Sequence, residues 1–169
     1  MRPVSATTTI DAPRERVFDL ITDLGVRGAI TDHFLSEFRL SRVDPVGPGA
    51  AARFRIGDSG MWMDTTIESV ERPHLVRERG LGGRSNKVGV FTVWELAPGA
   101  GPAGCEVTVT FWTEPASPFD RARELLMRKR RLRRGWRRTL ERLRELAEVG
   151  EPVERVTVAG GDRIPAFNL

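Results

Sequence analysis

The chain has 169 residues, 40% of them hydrophobic and 30% charged, with a formal net charge of +4. That size suits one domain with room for a ligand-sized interior, and the composition excludes a disordered or membrane-embedded chain. A lone cysteine, Cys105, excludes an intrachain disulfide, the two histidines show no metal-ligand spacing, and the lack of tyrosine removes one common general acid. No stretch reaches the ~20 apolar residues of a membrane helix, and the N-terminus lacks the apolar core of a signal peptide. The expectation is a cytoplasmic protein that uses no metal and no other cofactor.

In chain order, Val4 to Ile10 is a β-branched run that predicts a strand. Asp11-Ala12-Pro13 predicts a helix start, with Pro in the first turn and Asp as cap. Val17, Leu20, Ile21 and Leu24 follow at helical spacing, and Gly25 stops the pattern. A second short helix is expected within Val26 to Phe34. The period then changes to two. Strands are predicted over Leu35 to Val43, Ala51 to Ile56, Met61 to Val70, Leu75 to Gly80, Lys87 to Leu96 and Glu106 to Thr113. The turns between them are Asp44 to Gly49, Gly57 to Gly60, Glu71 to His74, Leu81 to Asn86 and Pro98 to Gly104. Consecutive strands joined by short turns imply an antiparallel meander.

Pro118 to Glu148 predicts one long helix, about 46 Å at ~1.5 Å per residue. Ala122, Leu125, Leu132, Trp136, Leu140, Leu143 and Ala147 fall on one stripe at 100° per residue, opposite Arg130, Arg134, Arg138, Glu141 and Glu145. The charge is uneven. Arg128 to Arg144 holds ten Lys/Arg against one acid, +9, and the remaining residues hold 17 against 22, −5. The organisation expected is a domain over 1–148 and a tail over 149–169 that either adds an edge strand or is mobile.

Particular stretches carry a family likeness. They are Thr9-Ile10-Asp11-Ala12-Pro13 with Val17-Phe18, Val70-Glu71-Arg72-Pro73-His74-Leu75-Val76, Val93-Trp94-Glu95-Leu96 with its Gly/Pro loop, Cys105 to Thr110, and Gly135-Trp136. With the order of elements, they resemble the START-like, or SRPBCC, superfamily, in its polyketide cyclase/dehydrase and lipid-transport branch. The resemblance implies an α+β helix-grip fold: a curved antiparallel sheet of six or seven strands around a long C-terminal helix, with two short helices near the N-terminus. It also implies a cavity between sheet and helix for an apolar or aromatic small molecule. Some relatives fold and dehydrate polyketides; others carry lipids, quinones or hormones. Fold alone does not choose among them.

Aligned to that family's alternation, Phe54, Ile56, Met63, Thr65, Ile67, Val90, Thr92, Trp94, Val107, Val109, Phe111 and Thr113 fall on the concave face. The candidate ligand-cavity residues are Phe54, Met63, Thr65, Ile67, Thr92, Trp94, Val109 and Phe111 from the sheet and Leu125, Lys129, Leu132 and Trp136 from the helix. Ordinary core packing competes with ligand contact at each. Lys129 falls within the apolar stripe. Either it reaches the cavity and meets an acid, phenolate or enolate, or it snorkels at the mouth, the reading preferred because an unpaired buried ammonium is costly. His33 and Lys129 are the candidate acid/base groups, and an enzyme could add an inward Arg77 or Arg79. Asp64, Glu68, Glu95, Glu106 and Glu114 are assigned to the solvated sheet face and His74 to an exposed turn. Gly80-Leu81-Gly82-Gly83 lacks the Lys-Ser/Thr end of a phosphate loop.

Three functions remain open. The first is binding or transport of a hydrophobic or aromatic small molecule without catalysis. The second is a polyketide cyclase/dehydrase-type enzyme. The third is an interaction protein that meets RNA, the ribosome or an anionic membrane through Arg130, Arg134 and Arg138. The oligomeric state is left open.

Overall fold

A computed structural model of the chain describes residues 2–56, 61–83, 87–99, 101, 104–115, 129–149 and 155–157. Seven strands form one antiparallel sheet: β1 Val4–Ile10, β2 Leu35–Leu40, β3 Ala51–Ile56, β4 Trp62–Glu71, β5 Leu75–Gly82, β6 Val88–Pro98 and β7 Cys105–Glu114. Their spatial order is β1-β7-β6-β5-β4-β3-β2. Strands β2 to β7 therefore follow one another as a meander, and β1 joins its far edge beside β7. Two short helices, α1 Arg14–Thr22 and α2 Leu24–Thr31, fill the connection from β1 to β2, and a long helix, α3, covers Lys129–Val149. This is the α+β helix-grip architecture expected from the sequence.

Alternation decides the faces. In β7, Cys105, Val107, Val109, Phe111 and Thr113 are buried, whereas Glu106 and Glu114 are exposed. A period of two places these residues on opposite sides of a pleated strand. On the outer side, Ser5 and Thr7 pair hydroxyl to hydroxyl with Thr110 and Thr108 at 2.9 Å, knitting β1 to β7. Asp64 lies beside Arg53 at 3.5 Å, and Glu68 3.8 Å from Arg79, as solvated outer-face pairs. Exposed pairs of this kind contribute little stability.

The helices differ from expectation at their junction. Leu24 does not finish the first helix but starts the second, because Asp23 takes an extended conformation between them and its Oδ1 accepts from Gly25 N. A side-chain acceptor at this position satisfies an amide that the helix leaves free. Conversely, Asp11 does not cap α1: Pro13 occupies that position without any side-chain cap. The Asp44–Gly49 turn docks on the same junction, with Leu24 N donating to Pro45 O and Gly47 N to Thr22 O. β2 stops at Leu40 rather than Val43, which is exposed. The Gly57–Gly60 turn and residues 116–128, including the predicted helix start, lie outside the described residues. So does most of the tail, but Val156 N donates to Gly25 O at 2.8 Å, and Arg155 meets Asp23 at 2.6 Å.

Helix α3 buries Leu132, Gly135, Trp136, Thr139, Leu140, Leu143, Leu146 and Ala147. It is the predicted stripe, widened by Gly135, Thr139 and Leu146. Gly135 has a steric reason: a Cβ there would stand 2.7 Å from the Phe34 ring. The sheet has its own close approach at Gly80, where a Cβ would stand 1.8 Å from the Asp64 carbonyl oxygen, beside the irregular register of β4 and β5. Backbone cannot yield there as a side-chain tip could. Gly80→Ala is therefore expected to lower unfolding stability by about 2 kcal/mol or more, the cost of overpacking a tight interior. Urea denaturation checks it.

Candidate functional site

The concave face collects what the alternation predicted. Phe54 from β3, Met63, Thr65 and Ile67 from β4, Thr92 and Trp94 from β6, and Val109 and Phe111 from β7 are all buried. Leu132 and Trp136 face them from α3. Trp136 is the hub. Its ring centroid lies 5.2 Å from Phe34, 5.7 Å from Trp94 and 5.8 Å from Phe111, with the first two contacts edge-to-face. Such geometry suits the aromatic quadrupole and adds to area burial.

Strand β5 supplies what sequence reading missed. Val76 and Glu78 point inward, so Arg77 and Arg79 point outward and are exposed. The expectation of an inward Arg77 or Arg79 is thereby corrected, and the reason is phase. The signal was present: Val76 is buried beside Trp94, its ladder partner, and the strand's inward residues are the even-numbered ones. Sequence alone argued against it, since it puts a carboxylate in the core.

The carboxylate is compensated. Arg27 of α2 donates from Nη2 to Glu78 Oε1 at 2.9 Å, with side-chain exposures of 3% and 2%. The Trp94 indole N–H donates to the same oxygen at 2.9 Å, and the Thr65 hydroxyl to Oε2 at 3.0 Å. Arg27 also donates to Ile21 O at 2.7 Å, and its guanidinium lies 4.6 Å above the Trp94 ring. A buried ion is tolerated when it is paired and hydrogen-bonded in this manner. Nothing in the spacing of Arg27 and Glu78, 51 residues apart, announces the pair.

The remaining candidates divide. Lys129 is exposed, in keeping with the preferred reading of a lysine that reaches solvent, and its inclusion among the cavity residues is corrected: helical angle alone brought it inward, but it lies at the N-terminal end of the described helix. Leu125 lies outside the described residues. Arg130, Arg134 and Arg138 are exposed on the helix back. His74 is exposed, 3.3 Å from Arg14. His33 is half-buried where α2 meets α3, and its Nε2 donates to Gly135 O at 2.9 Å. Burial pushes its imidazole below the ordinary histidine range, against the help of that carbonyl, and Arg142 and Arg138 push the same way, while Asp32 opposes them. Burial likewise pushes the Cys105 thiol up, away from the reactive thiolate. Among the described residues, no His/Cys/Asp/Glu group could hold a metal, and no helix is long and apolar enough to cross a membrane.

Comparison with known proteins gives these features a context. The family model described as polyketide cyclase/dehydrase and lipid transport matches residues 1–148. Among curated proteins, no relative matches significantly. Similar solved structures include a protein of Chromobacterium violaceum, 16% identical, with a TM-score of 0.63, covering 86% of this chain and 96% of that one. Truncated norcoclaurine synthase from Thalictrum flavum is 12% identical, with a TM-score of 0.64 and coverages of 86% and 92%. DynU16, a protein in the dynemicin biosynthetic locus, is 24% identical, with a TM-score of 0.58 over 90% of this chain and 49% of that one. At these identities the likeness is one of fold.

Two outcomes are expected from the site. Glu78→Leu alone strands the Arg27 charge and should cost about 3–5 kcal/mol in urea unfolding; adding Arg27→Met should recover a large part of it. If the double variant is no better than the single, the pair is not the source of the loss. The second concerns pH. Because His33 is held neutral in the folded state, the unfolded chain takes up its proton first as pH falls. The His33 contribution to stability is thus full above about pH 6.5 and is lost as pH drops through 6.5 toward the lower folded value. His33→Gln keeps a donor for Gly135 O and should flatten that part of the stability-versus-pH curve between pH 7 and 5.

Proposed function

We propose that this chain, which belongs to the polyketide cyclase/dehydrase and lipid-transport family, binds a hydrophobic small molecule between the concave face of its sheet and α3. The observation that carries this reading is the aromatic lining. Trp136 of α3 meets Trp94 and Phe111 of the sheet and Phe34 after α2 ring to ring, and Trp94 also lies against one self-neutralised ion pair. Small-molecule sites are typically apolar and aromatic with a few fixed polar groups. Burying about 300 Å² of apolar ligand surface would contribute roughly 7 kcal/mol before ordering costs, enough for binding with no catalytic group.

One observation favours a second reading, acid/base chemistry on the bound molecule. Glu78 is a strand carboxylate buried on the concave face, and among the described residues its Oε2 accepts a single protein hydrogen bond, from Thr65. A carboxylate oxygen can accept two, so one position stays open to a ligand proton. The fold neighbours include a synthase and a protein from a biosynthetic locus. Binding ranks first because Glu78 is engaged by three donors and therefore built into the structure.

The test is a titration with N-phenyl-1-naphthylamine, a neutral apolar dye, beside native mass spectrometry of the purified protein. Saturable dye binding near one per chain is expected, and Trp136→Ala should either abolish it or lower stability by about 3–5 kcal/mol. Absence of both saturable binding and any co-purified small molecule would overturn the reading.

A further inference from the structure

The interior satisfies most of its polar groups, and the exceptions among the described residues are Arg14 Nε, His33 Nδ1 and Arg55 Nε together with three atoms from α2 and α3. Thr22 and Thr31 return their hydroxyls to helix carbonyls four residues back, Thr65 and the Trp94 indole donate to Glu78, and Arg27 Nη2 serves two acceptors. The three atoms are Trp136 Nε1 and Thr139 Oγ1 of α3 and Arg27 Nε of α2, buried with no hydrogen-bond partner among the described residues. Their residues are 4%, 0% and 3% exposed. Trp136 and Thr139 lie one turn apart on the inner face of α3, and Trp136 and Arg27 both pack against the Trp94 indole. A buried donor without a partner is costly, so natural interiors rarely keep several together.

Charge sets a second condition. Among the described residues the one buried guanidinium, Arg27, already faces Glu78 at 2.9 Å, so the pair offers no net positive charge. An anionic ligand would enter a low-dielectric space uncompensated, whereas a neutral oxygen acceptor would meet free N–H groups. We propose that the interior site selects a flat, largely apolar ligand bearing a neutral carbonyl-type oxygen, which accepts the hydrogen bond that Trp136 Nε1 lacks, with Arg27 Nε as the second donor. Carboxylate ligands such as fatty acids are disfavoured. The proposal rests on the binding reading above and narrows its ligand class.

Three two-ring probes of one shape test it: 1-tetralone, tetralin and 1,2,3,4-tetrahydro-1-naphthoate, each displacing N-phenyl-1-naphthylamine from the whole chain. The ketone should displace at about tenfold lower concentration than the hydrocarbon, despite being less apolar, and about tenfold lower than the carboxylate. Trp136→Phe removes the N–H and should bring ketone and hydrocarbon to within about twofold of each other; its smaller ring acts on both probes alike, so the ratio isolates the hydrogen bond. In the unaltered protein, the Trp136 indole proton, assigned through its contacts with Phe34 and Phe111, should move downfield with 1-tetralone and not with tetralin. This arm holds even if the variant fails to fold. If ketone and hydrocarbon compete equally and the indole proton is still, the polar selection is wrong while the apolar site stands. A carboxylate that competes best overturns the charge argument and the proposal with it. If the dye itself never binds, the binding reading falls, and this inference falls with it.

Discussion

The ion pair between Arg27 and Glu78 is the interaction on which the interior depends. Both charges are removed from water, so each must be held by the other and by further hydrogen bonds. The consequences spread outward. Arg27 reaches Ile21 O in α1 and Glu78 in β5, fixing the α1–α2 corner against the sheet. Glu78 orients the Trp94 indole and the Thr65 hydroxyl, which come from the two strands beside its own. Trp94 in turn presents its ring edge-to-face to Trp136. An electrostatic requirement at one carboxylate is thereby converted into the placement of an aromatic wall and of the helix that closes it.

The helix is held by a separate device. Gly135 removes the atom that would strike the Phe34 ring, and its carbonyl accepts from His33. Arg142 binds Asp32 and donates to Ala29 O at 3.0 Å, so α3 is clasped to the end of α2 at two points about two turns apart. At the other end, Glu148 accepts from Asp11 N, tying α3 to the segment between β1 and α1. These contacts are local and partly polar; the stripe from Leu132 to Ala147 supplies the apolar burial. Residues 155–157 then lie over the start of α2, where Val156 sits against Gly28.

Charge is sorted between the two sides of the molecule. Outside, arginines stack on aromatic faces, as Arg53 and Arg55 do on Trp62, or meet acids at exposed positions. Inside, the single described strand carboxylate meets the single described buried guanidinium. The long helix shows the same division: apart from half-buried Arg142, which clasps α2, its basic residues stand in solvent, Lys129 among them, while its buried face carries one indole and one hydroxyl as polar groups.

By itself the sequence determined the fold and the faces. Period-two alternation in β3, β4, β6 and β7 marked Phe54, Met63, Thr65, Ile67, Thr92, Trp94, Val109 and Phe111 as inward, and all are buried, because a strand's side chains must alternate and one face had to be buried. The spacing of Leu132, Trp136, Leu140 and Leu143 marked the inner side of α3 for the equivalent helical reason. Tertiary structure decided three things that spacing could not express. Burial of Glu78 depended on a partner from a distant helix, since a carboxylate enters a core only when the complete set of donors is already there. The exposure of Lys129 depended on where the helix stands relative to its neighbours, since an angle on a helical wheel does not say whether anything faces it. The unpaired N–H groups of Trp136 and Arg27 arise from the fit of three elements against one indole, a matter of distances that no single stretch of chain contains.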